Sequence, residues 1–467
     1  SFSDTQRAPV LLILVFPRPC LMQVGTACVD FTPRTGLPLM GNFRDDYLAR
    51  GVHDPLHAKA MVFADAAGQK AAVLALDVCM LDRRNVALLR RVVAEQSSVP
   101  PEGMLVCATH THSAPAPCPK FLLGLDFAPF AADVEAFLSK AASAVVLAER
   151  DLSQAQLRVG RVDEPRLVFN RRLHRRDGST QMNWEALVPG FVPDEVASAW
   201  GPTDPQMTCL VVDRPGKPSA AIVNYGLHPA ILAGDNWLYS ADYPGQLAVA
   251  LERIQGPGFT SLFVNGCCGN INHVDYRDPQ QGRGYGMTQR VGYMLAVAAA
   301  EAIRTAQPIA GDRVAVGRDL VPLERIPIAE PERQHCEAVL EEARRQPLQG
   351  QVDGLPEAHF AEVRLDMYAR QHEPDHVEVM ALRLGEAALV GLPGEIFCEL
   401  GLAIKNASPA AATLVAELSN DAIGYIPTRE SFAQGGYEVI TGSTFYQPGA
   451  GEKLAAAAVA QLQKLFA

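Results

Sequence analysis

The sequence predicts a single large α/β domain built on mixed β-sheet. Hydrophobic residues make up 48% and charged residues 20% of the 467-residue chain, which is typical of a globular protein with a sizeable core. From Met22 onward, short runs of apolar residues alternate with stretches whose apolar residues recur at helical spacing. No internal repeat, low-complexity tract or shift in composition divides the chain. We therefore expect one domain over residues 22–467.

The individual elements follow from the spacing of apolar residues. Short apolar runs predict strands at 59–63, 71–76, 104–108, 207–212, 220–225, 261–264, 378–384 and 387–391. Apolar residues three and four apart predict helices at 85–95, 289–304, 332–345, 397–406 and 452–466. The last two strands are expected to form a hairpin through a turn at Gly385 and Glu386.

Two regions stand apart from this alternation. Residues 1–21 are expected to be an N-terminal extension, either signal-like or not native to the domain. Their apolar run between Pro9 and Pro17 is too short to span a bilayer. Residues 325–375 are expected to form a helical insertion in the domain.

Charge and cysteine content restrict the class of partner and the compartment. A formal net charge of -11 and a sequence pI of about 5.5 disfavour nucleic acid as a partner. No segment has the pattern of a transmembrane helix, so we expect no stable membrane insertion. The ten cysteines are scattered without a CxxC pair, which favours buried thiols and a soluble cytoplasmic protein. Export is the alternative if the N-terminal apolar run is a signal remnant. The oligomeric state is not predicted.

The sharpest chemical signal is the sequence Ala-Thr-His-Thr-His-Ser-Ala-Pro that follows a predicted strand. His110 and His112 lie two residues apart, so in extended backbone both imidazoles face the same side. One ring could bind a metal while the other moves protons. Two solvated loop histidines are the alternative explanation.

Four later residues lie at the end of a strand, after a turn or in turn-rich sequence. His228 ends a predicted strand, Glu395 follows a Pro-Gly turn, and Tyr425 and Tyr437 lie in turn-rich sequence. Taken alone, each has an ordinary explanation as a core, capping or packing residue. Asp77 is predicted either to orient a ligand histidine or to cap backbone.

Taken together and in this order, these motifs resemble those of the neutral ceramidase family. The resemblance extends over roughly residues 22–450 and implies that family's mixed-sheet catalytic domain with one zinc ion per chain. It implies as zinc ligands His110, His228, Glu395 and Tyr425. Nitrogen and oxygen donors of this kind suit zinc.

The same resemblance implies the catalytic groups around the metal. His112 corresponds to a proton-transferring histidine, and Tyr437 to a tyrosine that donates to the developing oxyanion. Arg171, in an Asn-Arg element, corresponds to an arginine that faces the pocket.

Two departures from the family pattern affect the expected chemistry. Asn272 stands where the family has an active-site serine, and an amide cannot act as a nucleophile, although it can donate to an oxyanion. The resemblance is to the catalytic domain alone, without the family's C-terminal β-sandwich domain.

The sequence thus predicts a zinc-dependent amidase or esterase that uses metal-activated water. The expected partner is a small-molecule acyl substrate, either small or lipid-like, whose amide or ester carbonyl is attacked. One alternative is phosphoester or phosphotriester hydrolysis at the same zinc site. The other is a degenerate, non-catalytic protein that binds an acyl ligand.

Overall fold

The computed structural model describes most of the chain. The described residues are 22–44, 47–115, 117–118, 125–278, 280–345, 351–352, 355–373 and 375–467. The expected N-terminal extension at residues 1–21 lies outside them. The described chain forms three principal mixed sheets that share a central core, with helices packed against their outer faces.

The first sheet carries two helices on its outer face. Its five strands, in spatial order, are Met104–Ala108, Lys70–Leu76, His57–Ala64, Gln23–Asp30 and Ser153–Gln154. The first two of these are parallel and the other neighbours are antiparallel. Helices α1 (Arg83–Ala94) and α2 (Ala131–Arg150) bury one apolar side against this sheet.

The second sheet has the same plan. Its strands, in spatial order, are Thr260–Asn265, Ala220–Tyr225, Gln206–Asp213, Gln156–Asp163 and Gln307–Pro308. Again the first two strands are parallel and the rest antiparallel. Helices α3 (Asp242–Gln255) and α4 (Tyr285–Thr305) cover it.

The region expected to be a helical insertion contains two helices that pack against each other. These are α5 (Glu330–Arg345) and α6 (Glu357–Arg370), with the short strands Gln351–Val352 and Leu355–Pro356 between them.

The third sheet precedes and follows this region in the chain. Its strands, in spatial order, are Val314–Leu323, Asp375–Leu384, Ala387–Gly391 and Ala412–Ala416, and the last two are parallel. Helices α7 (Cys398–Ala407) and α9 (Ala450–Phe466) pack against it, and α8 (Ser431–Gln434) is a single turn.

Short elements complete the described fold. The remaining paired strands are Gly51–Val52, Phe169–Asn170, Arg172–Arg175, Thr180–Met182, Val196–Ala199, Leu238–Tyr239, Ile271–Asn272, Glu395–Ile396 and Tyr425–Ile426. The 3₁₀ turns are Pro101–Gly103, Ala128–Phe130, Pro165–Leu167, Asn183–Leu187, Pro193–Glu195 and Tyr437–Val439. No helix in the described ranges combines the length and the apolar character that crossing a bilayer requires.

The inner faces of the three sheets meet in one apolar core. Leu105 of the first sheet, Leu262 of the second and Leu389 of the third belong to the same buried cluster, and each is 0% exposed. Each sheet also contains one parallel pair of strands, and in α/β folds ligands bind beyond the carboxyl ends of such strands. The segments that follow these pairs carry His110, His228 and Glu395.

The structure confirms the predicted α/β class, and each predicted strand and helix is present with small shifts at its ends. Several elements were not predicted. These are helices α2, α3 and α6 and the strands Gln23–Asp30, Gln156–Asp163, Val314–Leu323 and Ala412–Ala416.

Candidate metal centre and active site

His110 occupies an unusual backbone conformation directly after the strand Met104–Ala108. Its φ of 73° places it in the left-handed region, which costs a non-glycine residue of order 1–3 kcal/mol. Its backbone N–H donates to the carbonyl of Val78 at 2.9 Å, which holds the turn. The rings of His110 and His112 do lie together, but the expected cause, an extended backbone, is wrong. A left-handed turn brings the two rings together.

Three imidazole rings converge in this turn region. The Nε2 atom of His110 lies 2.9 Å from Nε2 of His228 and 3.3 Å from Nε2 of His112. The three rings are buried, and each pair meets edge to face.

Backbone carbonyls fix the tautomers of two of these rings. Nδ1 of His110 lies 2.8 Å from the carbonyl oxygen of Cys79, and Nδ1 of His228 lies 3.3 Å from that of Cys268. A carbonyl only accepts, so each Nδ1 carries a proton, and in the neutral ring Nε2 presents a lone pair. Two lone pairs 2.9 Å apart would repel, and either a bound cation or a second proton on His110 removes that repulsion. Although burial lowers the pKa of His110, its contacts with Cys79 and Glu395 raise that pKa well above its ordinary value.

Asp77 does not orient either ring. Its Oδ2 accepts the backbone N–H of His57 at 2.8 Å. Of the two roles open for Asp77, the described contacts support backbone capping, and the carbonyl of Cys79 orients His110 instead.

Glu395, which follows a strand of the third sheet, completes the cluster. Its Oε2 lies 3.4 Å from Nε2 of His110 and 3.7 Å from Nε2 of His228. Gly394, at φ 136°, allows the preceding turn to approach the carbonyl of Gly424, where a Cβ would lie only 2.8 Å from that oxygen. Glu395 then pairs in parallel with Tyr425, which brings the tyrosine beside the carboxylate.

These residues fit a bound cation. Oε2 of Glu395 is buried and accepts no hydrogen bond among the described residues. Burial alone would raise the pKa of Glu395, but His110, Tyr425 and Arg171 outweigh it, so the carboxylate stays ionised. His110, His228 and Glu395 offer donor atoms within 4.8 Å of one another, and such nitrogen and oxygen donors suit zinc.

His112 lies at the edge of this cluster and lines the same cavity. Burial, together with the charges of His110 and Arg44, holds the pKa of His112 well below its ordinary value. The backbone opposite the ring must be glycine, because a Cβ on Gly41 (φ 104°) would lie 2.4 Å from Cγ of His112.

Tyr425 and Tyr437 lie side by side in the lining of the cavity. Their ring centroids are 5.4 Å apart, and both residues line the cavity with His110 and Glu395. Burial raises the pKa of both hydroxyls, so Tyr437 is a proton donor at neutral pH.

Arg171 lies behind this pair of tyrosines. Its guanidinium carbon is 5.2 Å from the ring centroid of Tyr425, and its Nε donates to Glu438 at 2.7 Å. One terminal nitrogen, Nη2, is buried without a hydrogen-bond partner among the described residues. Arg171 is not among the residues that line the cavity, so the structure brings it to the site through Tyr425.

Asn272 has partners of its own. Its Nδ2 donates to Oδ1 of Asn183, and Nδ2 of Asn183 donates back to Oδ1 of Asn272, both at 2.7 Å. Asn272 does not line the cavity either. The role of Asn272 as an oxyanion donor stays a prediction. In the described structure its side chain takes part in this reciprocal pair of amide hydrogen bonds.

Sequence reasoning missed Glu417, which follows the strand Ala412–Ala416. This carboxylate is 0% exposed and accepts the backbone N–H groups of Cys268 and Ile396, each at 2.9 Å. Burial raises the pKa of Glu417 to about 7. The one sequence signal for Glu417 is that a charged residue directly follows an apolar run. The strand formed by that run was itself not predicted.

The cavity above the cluster has a volume of about 100 Å³. It is lined by His110, Glu395, Tyr425 and Tyr437, by residues 40–43 and Tyr47, and by His359 and Phe360 of α6. The arrangement combines a cation site, a proton donor and a ring nitrogen around one small, partly open space. It can therefore bind and polarise a small polar group.

The chain is similar in sequence to neutral ceramidases. The neutral ceramidase of Pseudomonas aeruginosa is 25% identical over 464 residues, covering 88% of this chain and 67% of that protein. Neutral ceramidase B of Dictyostelium discoideum is 26% identical over 246 residues, covering 50% of this chain and 32% of that protein. The chain thus spans about a third of the length of the Dictyostelium relatives that it matches.

The fold has a solved counterpart. The crystal structure of the Pseudomonas aeruginosa neutral ceramidase superposes with a TM-score of 0.71 at 20% identity, covering 96% of this chain and 74% of that one. A sequence profile described as neutral/alkaline non-lysosomal ceramidase, N-terminal, matches residues 22–275, which is more than half of the chain. The chain therefore belongs to the neutral/alkaline non-lysosomal ceramidase family.

Proposed function

We propose that the chain is a zinc-dependent amidase that hydrolyses the amide bond of an N-acyl substrate. The observation that carries this proposal is the convergence of His110, His228 and Glu395 beside a cavity that His110, Glu395 and two tyrosines line. One carboxylate oxygen of Glu395 has no hydrogen-bond partner among the described residues. Family membership supports amide hydrolysis ahead of ester hydrolysis, because the similar proteins are named ceramidases.

The proposed metal ligands are His110, His228, Glu395 and Tyr425, with one zinc ion per chain. When bound, zinc supplies a Lewis acid that polarises a carbonyl oxygen and lowers the pKa of water from 15.7 to about 7. The chain's own residues would hold that ion: backbone carbonyls accept from Nδ1 of both rings, which leaves each Nε2 for the metal, and the carboxylate is held ionised.

In the proposed reaction the oxygen of water bonds to the amide carbon and the C–N bond breaks. One proton of the water passes to the departing nitrogen, giving a carboxylic acid and an amine. His112 lines the cavity 3.3 Å from His110 and is the proposed carrier of that proton. Tyr437, as a buried hydroxyl, is the proposed donor to the oxyanion.

Arg171 and Asn272, which do not line the cavity, have supporting roles in the proposed reaction. Arg171, paired with Glu438 and facing the ring of Tyr425, is proposed to stabilise negative charge at that tyrosine. Asn272 is kept as a candidate oxyanion donor. Since an amide is not a nucleophile, the proposed route uses water rather than an acyl-enzyme.

The test combines metal analysis with a substrate panel. Purified protein, assayed for bound metal and then chelated and reloaded with zinc, is offered N-butyryl amides, butyryl esters and aryl phosphotriesters. We expect about one zinc per chain and zinc-dependent cleavage of the amides. The variants His110→Ala and His228→Ala should lose both metal and activity, while His376→Ala, at an exposed position, should retain both.

Two results would overturn the proposal. Cleavage of phosphotriesters alone would assign the site to phosphorus chemistry. Protein that binds no stoichiometric metal and is not activated by zinc would favour the degenerate, ligand-binding alternative.

A further inference from the structure

We propose that Asn42 is a positioning residue that fixes the tautomer of His112, so that Nε2 of His112 is the atom that carries the proton in the reaction. This inference rests on the proposed function and assigns an atom and a supporting residue to its proton transfer. Three observations carry it: the orientation of the Asn42 amide, the nitrogen of the ring that this amide meets, and the contacts that hold both groups in place.

The orientation of the Asn42 side chain follows from its contact with a backbone carbonyl. One end of the amide lies 3.0 Å from the carbonyl oxygen of Leu232. A carbonyl oxygen only accepts hydrogen bonds, so the end that faces it is the NH₂ group, Nδ2. The other end of the amide, the acceptor Oδ1, is therefore the end that meets His112.

This acceptor meets one particular nitrogen of the His112 ring. Oδ1 of Asn42 lies 3.4 Å from Nδ1 of His112, and an amide oxygen has no proton to donate. In the neutral ring the proton is therefore on Nδ1, and Nε2 keeps its lone pair. A separation of 3.4 Å is at the long end for a hydrogen bond, and contacts of this kind in active sites often tighten when the substrate binds.

Nε2 of His112 faces the proposed metal cluster. It lies 3.3 Å from Nε2 of His110, and both His112 and Asn42 line the cavity with Glu395. A base at this position can take a proton from the attacking water and release it to the departing nitrogen. The other tautomer would present an N–H at Nε2 and could not accept that proton.

The loop that contains Asn42 contacts His112 at two further points. Gly41 lies so close to the ring that a Cβ would stand 2.4 Å from Cγ of His112. Arg44 donates from Nη2 to the backbone carbonyl of His112 at 3.1 Å and from Nη1 to that of Asn42 at 3.3 Å. Its Nε donates to the carbonyl of Asn236 at 2.9 Å, which anchors the guanidinium. The loop therefore holds the amide and the ring in a fixed relation.

The tautomer can be measured directly by nitrogen NMR on zinc-loaded protein labelled with ¹⁵N-histidine. The His112 resonances are identified as those that are missing from the variant His112→Ala. We expect Nδ1 of His112 to carry a proton and Nε2 to carry none, and we expect Asn42→Leu to lose this preference. A parent protein in which Nε2 carries the proton would refute the inference, and this readout does not depend on enzymatic activity.

The effect on the reaction is measured as kcat and KM for cleavage of an N-butyryl amide. Asn42→Leu removes the acceptor with little change in size, and we expect kcat to fall by about 10–100-fold with unchanged KM and zinc content. Asn42→Asp keeps an acceptor oxygen for Nδ1 and should retain most of the parent kcat. The matched control is Asn406→Leu, at an exposed position on α7, which should behave as the parent protein does.

A double mutant separates positioning of His112 from a direct contact between Asn42 and the substrate. If Asn42 acts through His112, then Asn42→Leu should cause no further loss of residual activity in a protein that already carries His112→Ala. A further loss of about tenfold in that background, or equal losses in Asn42→Leu and Asn42→Asp, would refute the inference. Absence of zinc-dependent amide cleavage in a parent protein whose NMR spectrum shows the expected tautomer would instead refute the proposed function.

Discussion

At the scale of single residues, Tyr437 tests the proposed chemistry most directly. This residue lines the cavity beside Tyr425, and its hydroxyl stays protonated because burial raises its pKa. Tyr437→Phe should lower kcat by about 100-fold or more, the usual cost of one oxyanion donor, with unchanged zinc content. Tyr293→Phe, at an exposed position, is the matched control. Full activity in Tyr437→Phe would remove this residue from the mechanism.

Which residues gather at the site was easier to predict from the sequence than how those residues are oriented. The motifs correctly indicated the family, and the structure gathers His110, His228 and Glu395 into one cluster. The left-handed turn at His110 was not foreseen, because it depends on a hydrogen bond to Val78, a residue brought near only by the fold. For the same reason no local pattern indicated the carbonyl of Cys79 as the group that orients His110.

At the scale of elements, Glu417 connects the second and third sheets behind the proposed ligands. It accepts N–H groups from Cys268, whose carbonyl orients His228, and from Ile396, the neighbour of Glu395. Both N–H groups donate to the same oxygen, Oε2, while Oε1 accepts from the thiol of Cys268. In Glu417→Gln the amide oxygen can keep the two N–H groups, but the amide NH₂ then faces the thiol and the carboxylate charge is lost. We expect zinc to bind about 10–100-fold more weakly, as measured by competition with a chelator.

The control for Glu417→Gln is the same substitution at the exposed Glu301. Thermal unfolding of the metal-free proteins separates positioning from general stability. If Glu417→Gln unfolds at a lower temperature but binds zinc as tightly as the parent, then Glu417 supports the fold and does not position the ligands.

Elements with a regular apolar period were predictable, and those with other signals were not. Helix α3 begins Asp-Tyr-Pro-Gly, which reads as a turn, although proline is tolerated in the first turn of a helix. Helix α2 is alanine-rich over its middle, so its buried and exposed sides differ little in sequence. The strand Gln156–Asp163 contains Gly160, which packs so closely on α4 that a Cβ would overlap the carbonyl of Ala302.

At the scale of the whole molecule, the proposed metal joins all three sheets. His110 follows the first sheet, His228 the second and Glu395 the third, so the complete site exists only in the folded chain. A ligand that binds only the folded state stabilises it by about 4 kcal/mol at 1,000 times its Kd. Zinc should therefore raise the Tm of chelated protein, and the increase should vanish in His110→Ala. An identical Tm with and without zinc in the parent protein would contradict a site shared among the sheets.

The aromatic side chains of α6 stand on a different stretch of chain from the groups that are proposed to hold the metal. His359 and Phe360 come from a fourteen-residue helix, whereas the cluster is assembled from the ends of strands. The lining of the cavity and the proposed metal ligands therefore come from separate parts of the chain. Single substitutions at His359 or Phe360 offer a way to alter the surface that a bound molecule meets without replacing any proposed ligand.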